Sequence, residues 1–149
     1  MKKVLKLFLT AAIFSAAFFV FAKKDLMISV EQLPQKAQTF IAQTFSGKTV
    51  SYTKMYTESG KQEYKVYFSN GDTIEFNDKG DWKEIECKNS EVPQSCVPPQ
   101  AAKMIDQLFP NMKVLEIEIK SGKKTFMQVK LSNDIEIEFD ADFNVIDID

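Results

Sequence analysis

Glutamates recur along the chain at spacings that could bring two carboxyl groups together. A pair of carboxyl groups can hydrolyse a glycosidic bond, one acting as acid and the other as base or nucleophile. These glutamates, however, alternate with Ile, Leu and Phe, and this alternation is typical of a strand with one solvated face. The pattern therefore favours a solvated face over a catalytic pair. The glutamates concerned are Glu75, Glu84, Glu116, Glu118, Glu136 and Glu138.

The residue types that are missing exclude several kinds of active site. The chain contains no histidine, so neither a Ser-His nor a Cys-His nucleophile pair can be built. A zinc site with histidine ligands is excluded as well, and two cysteines cannot complete a four-cysteine site. We therefore expect no catalytic residues, no metal site and no cofactor.

An acidic segment near the end of the sequence resembles the opening of a calcium loop. It comprises residues 140–144, Asp-Ala-Asp-Phe-Asn. A calcium loop of the EF-hand type needs glycine at its sixth place and glutamate at its twelfth. The sixth place here is Val145 and the sequence ends at the tenth, Asp149, so the match fails. Residues 77–81 are likewise better interpreted as a turn.

Cys87 and Cys96 are the only two cysteines of the sequence, and they bracket a short segment. In an oxidising compartment a close pair in one chain indicates a disulfide, whereas a redox-active pair usually has Cys-x-x-Cys spacing. Closing this loop would contribute about 2.5–3 kcal/mol to stability on the chain-entropy model. We expect a structural disulfide between Cys87 and Cys96.

The first residues have the order of a secretory signal peptide. Three lysines occur among the first six residues, and an apolar run follows over residues 7–21. Val20 and Ala22 occupy the small-residue places of a cleavage site. We expect cleavage after Ala22, export to a periplasm or the outside, and no stable membrane insertion afterwards; an uncleaved membrane anchor is the alternative.

The charge of the chain argues against nucleic acid as a partner. The formal net charge is −2, and removing a leader that contains three lysines and no acid makes the remainder more acidic. All of its basic residues are lysines, whereas bidentate recognition of phosphate or guanine depends heavily on arginine. An exported protein is the expected partner.

The sequence resembles itself in two stretches. Residues 33–56 align with residues 97–120, and residues 64–86 align with residues 127–149 after a one-residue gap. Each copy opens with an apolar pattern of helical spacing and continues with period-two alternation interrupted by turns such as Ser69–Asp72. Each copy therefore predicts a helix followed by a four-stranded antiparallel meander.

The predicted fold class is α+β, with two tandem repeats whose helices lie on one face of the sheet or sheets. The domain organisation expected is a signal peptide (1–22), a first repeat (23–86), a linker with the disulfide (87–96) and a second repeat (97–149). The two repeats could continue as one wide sheet or form two lobes.

Two aromatic residues are out of phase with the apolar face of their strands. Tyr67 alternates with Tyr64, Val66 and Phe68, and Trp82 is out of phase with Ile85. If the phase holds, Tyr67 and Trp82 both lie on the sheet surface away from the helices, where such side chains are favoured interface anchors. The alternative is that a bulge turns Trp82 back into the core.

Several short motifs together resemble one family. They are Leu33-Pro34 at a helix start, Tyr64-x-Val66-x-Phe68-x-Asn70-Gly71, Ile74-Glu75-Phe76, Gly80-x-Trp82-x-Glu84-Ile85, and in the second copy Pro98 and Ile137-Glu138-Phe139-Asp140. The chain resembles the PepSY-like family of β-lactamase-inhibitor-like proteins. The resemblance implies an exported non-enzymatic protein similar to β-lactamase inhibitory protein, in which two helix-plus-sheet repeats present a concave sheet to a partner enzyme.

The second copy departs from the pattern at three places. Asp134 stands where Gly71 does, Phe143 where Gly80 does, and Val145 where Trp82 does. A two-fold symmetric binding face does not follow, and no inhibitory residue can be carried over.

The leading hypothesis is a non-enzymatic exported binding module that uses the open sheet face, with Tyr67 and Trp82 as anchors. Inhibition of a protease or another exported hydrolase is one form of that role. The alternatives are a structural component of the envelope and a hydrolase that uses carboxylates on the open sheet, which requires a deep cleft and displaced pKa values.

Overall fold

A computed structural model describes residues 25–122 and 124–149. The predicted signal peptide, residues 1–22 with its cleavage site after Ala22, lies outside the described residues. Short strands alternate with two ten-residue helices. The strands are β1 (Leu26–Ile28), β2 (Val50–Glu58), β3 (Lys61–Phe68), β4 (Thr73–Phe76), β5 (Trp82–Glu86), β6 (Val114–Ile119), β7 (Met127–Leu131), β8 (Glu136–Phe139) and β9 (Val145–Ile148). The helices are α1 (Gln35–Thr44) and α2 (Pro99–Leu108), and single 3-10 turns occupy Val30–Gln32 and Gln94–Cys96.

All these strands belong to one antiparallel sheet. Their spatial order is their sequence order, from β1 at one edge to β9 at the other, so each strand pairs with the one that follows it. Short turns suffice for such a meander because antiparallel neighbours need no crossover. In the part of the chain that the structure describes, neither helix has the length and apolar character needed to cross a bilayer.

The predicted α+β fold class of two tandem helix-plus-four-strand repeats is wrong. The molecule is dominated by one continuous nine-stranded sheet that carries two short helices. The connection after β5 does not separate two units, because β5 pairs directly with β6. The amides of Cys87 and Val92 also donate hydrogen bonds to the carbonyls of Leu115 (2.7 Å) and Val114 (2.8 Å). These bonds hold the connection against β6, and the apolar face of the sheet forms one core.

Both helices pack against the same face of the sheet. Ala37 and Ile41 of α1 and Ala101 and Ile105 of α2 are buried in a single hydrophobic cluster. The inward residues of the strands belong to that cluster, in keeping with their period-two alternation. Its fully buried strand residues include Val66, Ile74, Phe76, Ile85, Ile117, Met127, Val129, Leu131, Ile137 and Phe139.

Aromatic contacts fix α1 on the first half of the sheet. The ring of Phe40 meets that of Phe76 edge-on at a centroid distance of 6.0 Å. Phe45, which follows the helix, stacks on Phe68 at 5.4 Å. Aromatic pairs of this geometry add to the free energy gained from area burial alone. Among the described residues, the opposite face of the sheet carries no helix, and it is called the open face below.

The turn between β4 and β5 lies against the start of α1. Gly80 has a φ of 81°, and a Cβ placed on it would lie 2.9 Å from Cβ of Pro34 and 3.0 Å from the amide nitrogen of Ala37. Lys36 and Asp81 form an ion pair across the same contact. The left-handed backbone favours glycine here, and the close approach of the helix leaves no room for a Cβ.

Candidate functional site

The strand register aligns the side chains of the open face in rows that cross the sheet, and two of these rows extend from β2 to β8 or β9. Residues opposite each other on antiparallel strands lie close enough for their side chains to interact. One row reads Lys54, Lys65, Glu75, Glu84, Glu118, Gln128, Glu138 and Asp147, and the other reads Tyr52, Tyr67, Thr73, Glu86, Glu116, Lys130 and Glu136. The face is therefore aromatic and basic at the β2–β3 end and acidic from β4 onward.

Tyr67 lies on the open face as its phase predicts. It stands opposite Tyr52 in the β2–β3 register, and the two rings stack at a centroid distance of 4.2 Å and an angle of 18°. The ammonium groups of Lys54 and Lys65 each lie 5.9 Å from the centre of the Tyr67 ring. Tyr52 remains 38% exposed. The pair forms a flat aromatic surface held in place by neighbouring strands.

Trp82 does not lie on the open face. The alternative expectation, that a bulge turns it back toward the core, agrees with the structure. The register between β4 and β5 shifts between Glu75 and Phe76, so that Trp82 pairs with Phe76 while Glu84 pairs with Glu75. The extra residue returns Trp82 to the helix-covered side. Its ring stacks on Phe40 of α1 at a centroid distance of 6.5 Å. Trp82 therefore packs against the core from a half-buried position.

A hydrogen-bonded network occupies the open face beside the tyrosine pair. The hydroxyl of Tyr56 donates to a carboxylate oxygen of Glu75 (3.1 Å), and the ammonium of Lys65 donates to the other (2.6 Å). Glu63, which is only 7% exposed, accepts two hydrogen bonds from Lys83, both 2.7 Å long. Burial and the neighbouring Glu75 carboxylate raise the pKa of Tyr56. These groups are mutually satisfied, which makes this part of the face rigid.

Four carboxylates meet where β5 pairs with β6. Glu84 stands opposite Glu118, and Glu86 stands opposite Glu116. Burial raises the pKa of Glu84 to about 7, with a further contribution from Glu75 and smaller ones from Glu116 and Glu118, against the opposing effect of Lys65. Burial also raises the pKa of Glu116, and the charge of Glu86 adds to the effect. Like charges placed opposite each other destabilise a sheet, so this acidic centre costs folding free energy.

The acidic centre has one feature that the hydrolase hypothesis requires, namely displaced carboxyl pKa values. Glu84 and Glu116 are half-buried on the sheet surface. Two cavities adjoin this face at its end. One of about 450 Å³ is lined partly by Glu118 and Glu138, and another of about 630 Å³ partly by Glu58 and Glu63.

The connection after β5 is anchored by a buried carboxylate. Asp72 is 1% exposed and accepts hydrogen bonds from Lys48, from the hydroxyl of Ser90 (2.7 Å) and from the side-chain amide of Asn70 (2.8 Å). Burial acts to raise the pKa of Asp72, but the hydrogen bonds from Lys48, Ser90 and Asn70 outweigh it and lower the pKa. The network joins the segment that follows α1, the β3–β4 hairpin and the connection after β5.

Cys87 and Cys96 are both buried free thiols, so the structure does not show the predicted disulfide. Burial raises the pKa of each thiol, and the neighbouring Cys87 adds to the effect at Cys96. A raised pKa disfavours the reactive thiolate form of both side chains.

The turn that resembles a calcium loop is closed by hydrogen bonds from its own backbone amides to the side chain of Asp140. One carboxylate oxygen of Asp140 accepts hydrogen bonds from the amides of Asp142 and Asn144, each 2.9 Å long. Asn77 does the same for the amides of Lys79 (3.0 Å) and Asp81 (2.9 Å). Within residues 25–122 and 124–149, no three acidic or cysteine side chains are grouped so as to hold a metal ion.

Comparison with known protein families finds one that matches this chain. The family described as "Putative beta-lactamase-inhibitor-like, PepSY-like" matches residues 62–147, from β3 to β9. The chain belongs to the PepSY-like family. None of the curated proteins matches it.

Three solved structures resemble this PepSY-like chain, each with a TM-score of 0.78. A "putative periplasmic protein" from Bacteroides vulgatus is 47% identical over 84% of this chain and 96% of its own. A "putative calcium-regulated periplasmic protein" from Bacteroides thetaiotaomicron is 44% identical over the same shares. A second periplasmic protein from B. vulgatus is 30% identical and covers 85% of this chain and 99% of its own.

Two features of the PepSY-like site were missed by sequence reasoning. Tyr52 was not assigned to the open face, since a register irregularity between Val50 and Tyr52 obscures its phase. The acidic centre was missed because its members come from β5 and β6, whose pairing cannot be seen in the sequence. The alternation of Glu116 and Glu118 with Ile117 predicts that both glutamates lie on a solvated face. It does not predict that Glu118 stands opposite Glu84.

Proposed function

We propose that this PepSY-like chain is an exported, non-enzymatic binding module that holds a protein partner on its open face. The observation that carries the proposal is the Tyr52–Tyr67 pair, whose rings stack at a centroid distance of 4.2 Å on the open face. Stacked tyrosines offer a large amphipathic area that loses little side-chain entropy on binding. Tyr67 is the anchor named from the sequence, Tyr52 joins it, and Trp82 acts by supporting the fold.

An exported location supports this function. The order of residues 1–22 is that of a signal peptide, and similar structures are described as periplasmic proteins. Cleavage after Ala22 would release the chain into an oxidising compartment, where Cys87 and Cys96 form the disulfide expected from their spacing. A binding protein in the envelope benefits from such a cross-link because it must persist without cytoplasmic chaperones.

The partner class that fits best is another exported protein, and inhibition of an exported hydrolase is the form of binding we favour. The family description, β-lactamase-inhibitor-like, supports this choice. A sheet face suits inhibition because it is broad and rigid, and a rigid surface loses little entropy when it covers an enzyme cleft. The glutamates of the acidic centre take part as surface charges and not as a catalytic pair.

Affinity capture from an envelope extract tests the proposal. The bait is residues 23–149, and the matched variant is Tyr52→Ala combined with Tyr67→Ala. A captured protein is identified by mass spectrometry, purified and titrated against the bait, and its hydrolase activity is measured with and without the bait. We expect one stoichiometric partner that the double variant binds at least tenfold more weakly, the usual effect of losing an aromatic anchor.

A control variant separates face-specific binding from nonspecific adhesion. Leu108 of α2 is 43% exposed on the helix-covered side, and Leu108→Ala should leave capture unchanged. Loss of capture with Leu108→Ala but not with the tyrosine variant would place the binding surface on the helices. If no protein binds the parent at stoichiometric level, the binding-module proposal fails and a structural envelope role takes its place.

A further inference from the structure

The acidic part of the open face lies at a fixed distance from its aromatic part. Tyr67 is on β3, Glu86 on β5 and Glu116 on β6, all within one register row. Neighbouring strands are about 4.8 Å apart, so the ring and the two carboxylates are separated by about 10 and about 14 Å across the sheet. A partner that touches the tyrosine pair must therefore reach the acidic centre with groups at a similar spacing.

The carboxylates of the acidic centre differ in how their charge is compensated. Glu118 is paired with Lys120, and Glu86 lies 3.6 Å from the ammonium of Lys88. Lys65, the lysine whose charge acts on Glu84, forms an ion pair of 2.6 Å with Glu75. Glu84 therefore faces Glu75 on one side and Glu118 on the other. This row, which lies beside the row of Tyr67, Glu86 and Glu116, has an excess of negative charge at its middle. A cation from outside would relieve that repulsion.

We infer that the open face recognises a protein segment that sets an arginine or lysine on the acidic centre and an apolar or aromatic group on the Tyr52–Tyr67 pair. This inference rests on the proposed function and specifies the chemistry of its partner. Charge complementarity selects the occupant: the centre of the face is acidic, and the aromatic end is already bordered by Lys54 and Lys65. A second copy of this acidic chain would place like charges together and is disfavoured.

A peptide of defined spacing tests the inference without the natural partner. The probe is a capped peptide in which three Gly or Ser residues separate a tryptophan from an arginine, a separation of about 13 Å when extended. Its control carries citrulline, which has nearly the shape of arginine without the charge. Two-dimensional NMR of isotope-labelled residues 23–149 follows the amides of β3, β5 and β6 during each titration.

We expect the arginine peptide to shift amide signals of β5 and β6 together with those near Tyr67, with a dissociation constant on the order of millimolar. The citrulline peptide should bind more weakly, and added salt should reduce the difference. Glu84→Gln combined with Glu118→Gln should weaken binding of the arginine peptide about threefold to tenfold. Glu91→Gln combined with Asp106→Asn removes the same charge elsewhere and should change it less than twofold.

The outcomes distinguish this inference from the proposed function. Equal binding of the two peptides, or equal effects of the two double variants, overturns the recognition of a cation. If a captured partner is retained fully by the Glu84→Gln, Glu118→Gln variant, the binding module stands and its acidic centre is not the contact. If the parent captures no partner while the arginine peptide still binds locally, the proposed function fails and the cation preference of the face is retained.

Discussion

Glu84 stands directly opposite Glu118 across the strand pair that joins the two halves of the sheet. Interior strand pairs usually place opposite charges or apolar groups at such positions, because like charges there oppose folding. A sheet that retains this arrangement at its centre has a folded state that depends on the protonation of its carboxyl groups. Because the pKa of Glu84 is raised, the folded state loses stability as this carboxyl group ionises.

Replacing Glu84 with glutamine should stabilise the protein at high pH. The folded-state pKa of Glu84 is about 7, against an ordinary value of 4.5. The folded protein therefore holds this proton more tightly than the unfolded chain, and stability falls as pH rises from about 4.5 to about 7. Urea unfolding should show Glu84→Gln more stable than the parent by about 1 kcal/mol at pH 8, allowing for solvent screening, and equal to it at pH 4.

Several charged groups around Glu84 contribute to its pKa and therefore to the pH dependence of stability. Glu75, Glu116 and Glu118 act to raise its pKa and Lys65 acts to lower it. Glu138→Gln, on β8 of the same face, serves as the control. A stability difference for Glu84→Gln that is constant from pH 4 to pH 8 would contradict the assignment of the raised pKa.

Asp72 should have the opposite pH dependence. Its pKa is lowered in the folded state by hydrogen bonds from Lys48, Ser90 and Asn70, which outweigh the effect of burial. The stability it contributes is present above the ordinary carboxyl pKa of 3.8 and is lost as pH falls through the lower folded value. Asp72→Asn should cost about 2–3 kcal/mol at pH 7, since it leaves Lys48 half-buried without its charge partner.

Chemical denaturation at pH 7 and pH 3 measures this effect. The exposed Asp78→Asn is the matched control and should change stability by less than about 0.5 kcal/mol. If Asp72→Asn and Asp78→Asn cost the same at pH 7, the buried network does not anchor the connection after β5.

Sequence reasoning predicted local structure well where local physics decides it. The alternation of Tyr64, Val66 and Phe68 and the turn Ser69–Asp72 give β3 and its hairpin, closed by a 2.9 Å hydrogen bond from the amide of Phe68 to the carbonyl of Asp72. The phase of Tyr67 followed from the same alternation. These features depend on neighbours in the chain, and their signals lie within a few residues.

The remaining features depend on contacts that the sequence does not record. One extra residue at the β4–β5 bulge moves Trp82 to the other face, and a register change of this size leaves no local pattern. The sequence leaves open whether β5 pairs with β6, whereas in the structure the two strands pair and the amides of Cys87 and Val92 extend the contact. The predicted two-unit α+β fold was wrong for this reason. β1, only three residues long, is too short for its alternation to be recognised.

Trp82→Ala should destabilise the fold and leave the open face intact. The Trp82 ring stacks on Phe40 at 6.5 Å on the helix-covered side, and truncating a half-buried tryptophan there costs about 2–3 kcal/mol. Tyr67→Ala removes one stacked ring from the surface and should cost about 1 kcal/mol. Thermal unfolding of the two single variants compares them directly. A lower melting temperature for Tyr67→Ala than for Trp82→Ala would show that their roles are reversed.

The exported protein should contain no free thiol. We expect Cys87 and Cys96 to be joined after export, and reduction of the bond should cost about 2.5–3 kcal/mol on the chain-entropy model. Denaturation of protein purified from the periplasm, followed by alkylation without reductant and intact mass measurement, should show no label. Protein retained in a reducing cytoplasm is the control and should take up two labels. Two labels on the periplasmic protein would contradict the disulfide.

Gly80→Ala should be far more costly than Gly60→Ala, although both glycines have a left-handed backbone. Their φ values are 81° and 77°, so the intrinsic cost of adding a Cβ is similar, about 1 kcal/mol. A Cβ on Gly60 meets no atom within 4 Å, whereas on Gly80 it lies 2.9 Å from Cβ of Pro34 and must displace the start of α1. The overlap should add about 1–3 kcal/mol. Urea unfolding of both variants isolates this contact, because the shared backbone effect cancels. Equal losses would mean that α1 shifts freely, and the Lys36–Asp81 ion pair across the same contact should then be dispensable too.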